Sequence, residues 1–126
     1  MKTQVFTTEN APTPVGPYSQ AVRRGNIVSV SGQVGLDPAN NKLVEGGIAE
    51  QTRQTLTNLE SILKNSGASF ADVVTARIYI TQAADFAPMN EVYAKFLSEP
   101  FPCRTTVFVG LPPGMLVEID VLAVVD

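Results

Sequence analysis

The chain has 126 residues, with 12 acidic against 9 basic side chains and a formal net charge of -3. This length suits one domain, residues 1–126, with a sizeable buried core. The composition excludes whole classes of function. Without a run of Lys or Arg, a broad electrostatic footprint for nucleic acid is missing. No apolar stretch reaches the length of a membrane span. Histidine is absent altogether, which rules out Ser-His-Asp and Cys-His pairs and His-based zinc sites.

In chain order, "TQVFTT" predicts a short strand, and "APTPVGPYSQ" a Pro- and Gly-rich ordered loop. "QAVRRGNIVSVSGQVGL" predicts a hairpin turning at Arg24-Gly25-Asn26, where Gly25 supplies a positive φ. "GGIAEQTRQTLTNLESILKNSG" predicts a helix. Ile48, Thr52, Leu56, Leu59, Ile62 and Leu63 recur at helical spacing, and Gly67 stands just past the end. "DVVTARIYIT" predicts a strand with Val74, Ala76, Ile78 and Ile80 on one face and Thr75, Arg77 and Tyr79 on the other. A second helix is expected from Asp85 to Ser98. Its stripe is Phe86, Met89, Val92, Tyr93, Phe96 and Leu97, with Asp85 as N-cap and Pro88 in the first turn. "CRTTVFVG" and "LVEIDVLAVV" are strands that the "LPPG" connection predicts to form an antiparallel hairpin.

The order ββ(β)-α-β-α-ββ predicts an α+β two-layer sandwich, a mixed sheet with two helices on one face. The last strand is mostly apolar on both faces, so both faces should be covered. Helices reach only one of them. The other is expected to pack on further copies of the chain, as a homo-oligomer. The N-terminus "MKTQVFTTEN" lacks a signal-peptide apolar region, and the single cysteine forms no internal disulfide. Both features lead to a cytoplasmic expectation.

With no histidine, acid and base work falls to carboxylates, Lys, Tyr or a bound water. If the last two strands pair, Arg104 comes near Glu118 or Asp120. That is a cross-strand ion pair, worth roughly 0.2–1 kcal/mol, or a carboxylate-gripping arginine with an acid beside it. Cys103 points away from Arg104 and has no base to make it a thiolate, so it is expected to be a buried structural residue. Tyr18 either plugs a sheet edge or offers a hydroxyl to a ligand. Ser29, Ser31 and Gly32 form either an edge strand with a bulge or a cluster of donors for a small anion. Asn90 either faces solvent from mid-helix or bonds a loop. Gly32 and Gly35 open no helix and make no phosphate-binding fingerprint.

Taken together and in order, "ENAPTPVGPYSQAV", "VSGQVGLDP", "QTRQTLTNLESILKNSGAS", "DVVTARIYIT", "MNEVYAKFL", "FPCRTTVFVGLPPG" and "VEIDVLAVV" resemble the RidA/YjgF family of reactive intermediate deaminases along essentially the whole chain. The resemblance implies a chorismate-mutase-like fold and a homotrimer with sheets packed around the threefold axis and active sites between subunits. It also implies hydrolysis of reactive enamines and imines, 2-iminobutanoate and 2-iminopropanoate (from 2-aminoacrylate), to 2-oxo acids and ammonia. No metal or organic cofactor is implied, and neither a nucleic acid nor a membrane is a partner.

Residue by residue, the resemblance implies Arg104 as the grip on the substrate carboxylate, Tyr18 as the site tyrosine and Glu118 as the acid beside the attacking water. Ser31, Gly32 and Asn90 line the cleft. Thr106 stands where many deaminating members carry a cysteine, and its backbone N–H remains available to substrate. The "LSEPFPC" loop is shorter than in some members. A second class stays open, a non-catalytic small-carboxylate-binding or protein-interaction module on the same scaffold. A ribonuclease role attached to relatives is disfavoured by the acidic balance and the missing histidine.

Overall fold

The computed structural model describes residues 2–126. Three strands open the chain: β1 (Thr3–Phe6), β2 (Ala21–Arg24) and β3 (Ile27–Gln33). Gly25, at φ 61°, makes the β2–β3 turn as expected. A small hairpin of β4 (Leu36–Asp37) and β5 (Lys42–Leu43) follows, which the sequence reading missed. Then come α1 (Ile48–Asn65), β6 (Val73–Ile80), α2 (Phe86–Phe96), β7 (Cys103–Phe108) and β8 (Val117–Val124). Among the described residues no helix is long and apolar enough to cross a membrane.

The main sheet has six strands in the order β1-β2-β3-β8-β6-β7. All neighbours are antiparallel except β6 and β7, which run parallel with α2 as their crossover. The expected β7–β8 hairpin is therefore wrong. β6 lies between the two strands, and the segment 109–116 carries the chain past its end. A Pro-Gly turn between two apolar runs is a local signal, while β6 competes from a distance through two full ladders.

Both helices cover one face of the sheet, so the mixed α+β two-layer reading holds. The core joins Val28 and Val30 of β3, Ala76, Ile78 and Ile80 of β6, and Val117, Ile119, Val121 and Ala123 of β8 to Leu56, Leu59, Ile62 and Leu63 of α1 and Met89 of α2. Burying each large aliphatic side chain contributes about 1.5–3 kcal/mol. α1 ends where Gly67 takes φ 81° and Ala68 N–H donates to the Leu63 carbonyl at 2.9 Å. Asp85 holds the N-cap position of α2 without a side-chain bond, because a 3-10 turn over Ala83–Asp85 leads into the helix.

A bulge between Val73 and Thr75 reverses the faces at the start of β6. Val73 is buried, and Val74, expected beside Ala76, is exposed. The sheet face away from the helices carries Val5, Ile27, Val74, Val107 and Val124, all exposed.

Candidate active site

Two clusters stand out, and they lie on opposite faces of the sheet. β7 pairs Arg104 with Ala76 and Thr106 with Ile78, so both point to the helix side. Glu118 pairs with Tyr79, and Asp120 with Arg77, on the open side. The expected proximity of Arg104 to an acid within one chain is thus overturned, because β6 separates the strands and the faces differ.

Arg104 sits in a cleft of about 350 Å³ lined by Asn90, Tyr93, Ala94, Phe101, Pro102 and Arg104 itself. α2 supplies Asn90 and Tyr93 one turn apart, and the loop before β7 supplies Phe101 and Pro102. The guanidinium carbon lies 5.1 Å from the Tyr93 ring centre and 5.8 Å from that of Phe86. These aromatic faces hold a cation without neutralising it. The ion pairs among the described residues are Arg77–Asp120 and Lys95–Glu91, so Arg104 has no carboxylate.

Three buried polar atoms in this region also lack a hydrogen-bond partner: Asn90 Oδ1, Tyr93 Oη and Thr106 Oγ1. Buried polar groups are nearly always paired, and an unpaired one costs about 1–3 kcal/mol. Three of them around an uncompensated arginine mark a place prepared for polar atoms from elsewhere. Tyr93 and Phe101 were not among the expected site residues. Tyr93 belongs to the core stripe of α2, and the residue is indeed buried, at 5% exposure. Burial pushes its phenol pKa up, so it stays a protonated donor.

The second cluster centres on Glu118. Gly32 lies against it: a Cβ added there would stand 2.5 Å from Glu118 Oε2. The β3–β8 ladder shifts register between Val30 and Gln33, the stretch that holds Ser31 and Gly32. β3 is an interior strand, not the expected edge. Burial, then the neighbouring Asp120 charge, raises the Glu118 pKa above its ordinary value. Asp120 accepts from Arg77 Nε at 2.8 Å through one oxygen and from the Tyr79 hydroxyl at 2.9 Å through the other.

Ser31 does not offer its proton to a ligand. Its hydroxyl donates to the Ser19 carbonyl at 2.6 Å, and its N–H donates to the Gln20 carbonyl at 2.9 Å. It fixes the strand next to Tyr18. Tyr18 itself is half exposed, with its N–H donating to the Gly16 carbonyl at 2.9 Å. Buried Gln20 accepts from the Thr8 N–H and donates to the Thr8 and Pro12 carbonyls, tying down the loop before Tyr18. Cys103 is exposed, against the expectation of burial. It faces away from Arg104 as predicted, but onto the sheet side that no helix covers.

The structure thus brings Arg104, Asn90 and Thr106 together. It sets Glu118 against Gly32 separately, with Ser31 beside Gly32 but bonded to Ser19 and Gln20, and it does not join the two groups in one chain. A family profile described as "Endoribonuclease L-PSP" matches residues 8–125. The chain is 46% identical over 121 residues to a RutC family protein of Pyrococcus horikoshii, covering 95% of this chain and 96% of that one. It is 43% identical over 122 residues to a 2-iminobutanoate/2-iminopropanoate deaminase of Bos taurus, covering 96% and 89%. The crystal structure of RidA from Psychrobacter superposes with a TM-score of 0.93 at 43% identity, over 97% of this chain and 99% of that chain. The chain belongs to the RidA/YjgF family.

Proposed function

We propose that the protein is a cofactor-independent deaminase that hydrolyses 2-iminobutanoate and 2-iminopropanoate to 2-oxo acids and ammonia. It works as a homotrimer whose sites lie between subunits. The carrying observation is the uncompensated Arg104 in its cleft beside three unpaired buried polar atoms. Relatives that share over 40% of its residues across nearly the whole chain are named for this reaction. The edge strand β7 of one copy, packed on the open face of the next, joins the Arg104 half to the Glu118 half. The exposed Val5, Ile27, Val74, Val107 and Val124 give that packing its apolar area.

In this reading Arg104 binds the substrate carboxylate through two parallel hydrogen bonds. Asn90, Tyr93 and Thr106 surround it, the Thr106 backbone N–H contributing. Tyr18 and Gly32 of the facing copy close the cleft, and Ser31 holds their strand in place. Water attacks the imine carbon, its proton passes to Glu118, and the C=N electron pair moves to nitrogen. Glu118 returns that proton to nitrogen, which gives the carbinolamine; it then takes the hydroxyl proton and passes it to the amine nitrogen, the C=O bond forms as the C–N bond breaks, and ammonia leaves. Orientation and charge placement supply the rate, since imines hydrolyse unaided. The reaction suits a reducing cytoplasm, where imines released by dehydrating enzymes would be met.

A ribonuclease reading takes its support from names alone, those of the family profile and of two similar solved structures. The net charge of -3 and the missing histidine speak against it. A carboxylate-binding module would also use Arg104, but it gives no role to an acid with a raised pKa set against Gly32. The test couples threonine dehydratase to the purified protein and traps 2-iminobutanoate with semicarbazide. Faster loss of the imine that disappears in Arg104→Ala supports the deaminase. Unchanged imine lifetime refutes it.

A further inference from the structure

Among the described residues Asp120 is set apart from the other acids. Both of its oxygens are occupied, one by Arg77 Nε and one by the Tyr79 hydroxyl. It sits two residues from Glu118 on the same strand and the same face. Tyr79 stands directly across from Glu118, and Arg77 directly across from Asp120. The carboxylate is thereby fixed in place close to Glu118, whose side chain makes no hydrogen bond among the described residues.

We propose that Asp120, clamped by Arg77 and Tyr79, is a positioning residue that acts through Glu118 and tunes its affinity for the proton of the attacking water. This rests on the deaminase reading above. The physics is that of two carboxylates on one surface. A second negative charge nearby disfavours ionisation of the first, and burial adds to it. A base whose proton affinity approaches the working pH both takes and returns a proton more effectively. Glu118 must do both in one turnover.

The surroundings leave few other groups to do this. From β8 the facing charge is Asp120. From β6 come Tyr79 and Arg77. β3 presents Ser31 and Gly32, neither of which ionises in this range. The facing copy of the proposed trimer brings Arg104, which pulls the other way. Arg77 also has a definite sign: it moderates the Asp120 charge and so restrains the effect on Glu118. Burial and the Asp120 charge both favour protonated Glu118, and the Tyr79 phenol in turn is held protonated chiefly by its bond to Asp120.

The test measures kcat/KM for imine hydrolysis against pH, and in parallel the carboxyl carbon-13 titration of Glu118 in the assembled protein. Glu118→Gln identifies which limb of the profile belongs to Glu118, since that limb vanishes. Asp120→Asn keeps the shape and removes the charge. It should move both the acid limb and the Glu118 titration down, leaving the part of the shift that burial causes. Arg77→Gln should move both up. Opposite displacements distinguish tuning from structural damage, which lowers the rate at every pH alike. A Glu118 titration unmoved in Asp120→Asn overturns the proposal. A titration that moves without the limb following overturns its catalytic part. An inactive wild type refutes the deaminase reading, and the catalytic part with it, while the carbon-13 titration still decides the coupling of Asp120 to Glu118.

Discussion

Gly32→Ala separates catalysis from folding more sharply than any change to the charged residues. The added Cβ would stand 2.5 Å from Glu118 Oε2, 3.0 Å from Cδ and 3.2 Å from Cγ. Carbon–oxygen contact needs about 3.3 Å or more, so the carboxylate must retreat by close to 1 Å. The obstacle is the far end of a flexible side chain, so the backbone need not move. Stability should fall by only about 1 kcal/mol, the low end for overpacking. A displacement of 1 Å in a catalytic group is worth on the order of 10²-fold in rate. The imine-trapping assay should therefore show a kcat/KM loss near that size. Thermal unfolding should shift by only a few degrees, about 3–6 °C for a chain of this length. Adding Gly32→Ala to Glu118→Gln should cost little more, since both remove the same carboxylate from its place. Full activity in Gly32→Ala would refute the placement of Glu118 in the reaction.

Four further outcomes follow from the same geometry. Arg104→Lys should keep the charge and lose the two-pronged grip, lowering kcat/KM by about 10–10²-fold, with the loss mainly in KM. Val74→Glu should disperse the proposed trimer in analytical ultracentrifugation while circular dichroism stays native, because Val74 is exposed in the single chain; activity should vanish in parallel. Thr106→Val removes a buried hydroxyl without a partner, so Tm should hold or rise while kcat/KM falls if the hydroxyl meets substrate. The raised Glu118 pKa fixes the sign of a fourth. Its folded value lies above the unfolded one, so protonation favours the folded state and stability declines as pH rises through the folded value. Glu118→Gln should therefore be more stable than wild type at neutral pH, and this advantage should vanish below about pH 4.3, the unfolded value.

Elements were legible where the signal is local. The α1 stripe and Gly67 fix that helix within a residue or two. The same stripe hides buried Gln51 and Asn58, whose bonds go to distant backbone: Gln51 to the Gly114 carbonyl and the Leu116 N–H, Asn58 to the Val34 and Leu36 carbonyls. Such partners leave no trace in a pattern of period 3.6. Strand pairing was less legible. "LPPG" gives a turn, but only the competition for β6 decides that β7 and β8 are separated. Cys103 could not be placed for a related reason, since alternation tells that it opposes Arg104 but not which side the helices cover. Arg104 was visible as an arginine at a strand start. Its aromatic surround was not, because Phe86 and Tyr93 also satisfy the core stripe of α2.

The charged groups of the open face divide by whether they are already satisfied. Arg77, Asp120 and Tyr79 complete one another, so this trio can be covered by another chain without leaving an unmet hydrogen bond on Asp120. Desolvating a charge that lacks such partners is costly. Glu118 has none, and on the far face neither has Arg104. A chain that needed only to fold would gain by pairing these two or replacing them. It instead holds the acid against a glycine with no room for a side chain, and the base between aromatic rings that cannot neutralise it. In the proposed trimer each supplies the opposite charge that the other lacks, across a gap that a small imino acid fills. The carboxylate of that substrate answers Arg104, and its reacting carbon lies towards Glu118. Unmet charge within one chain is then the condition for a site that exists only between two.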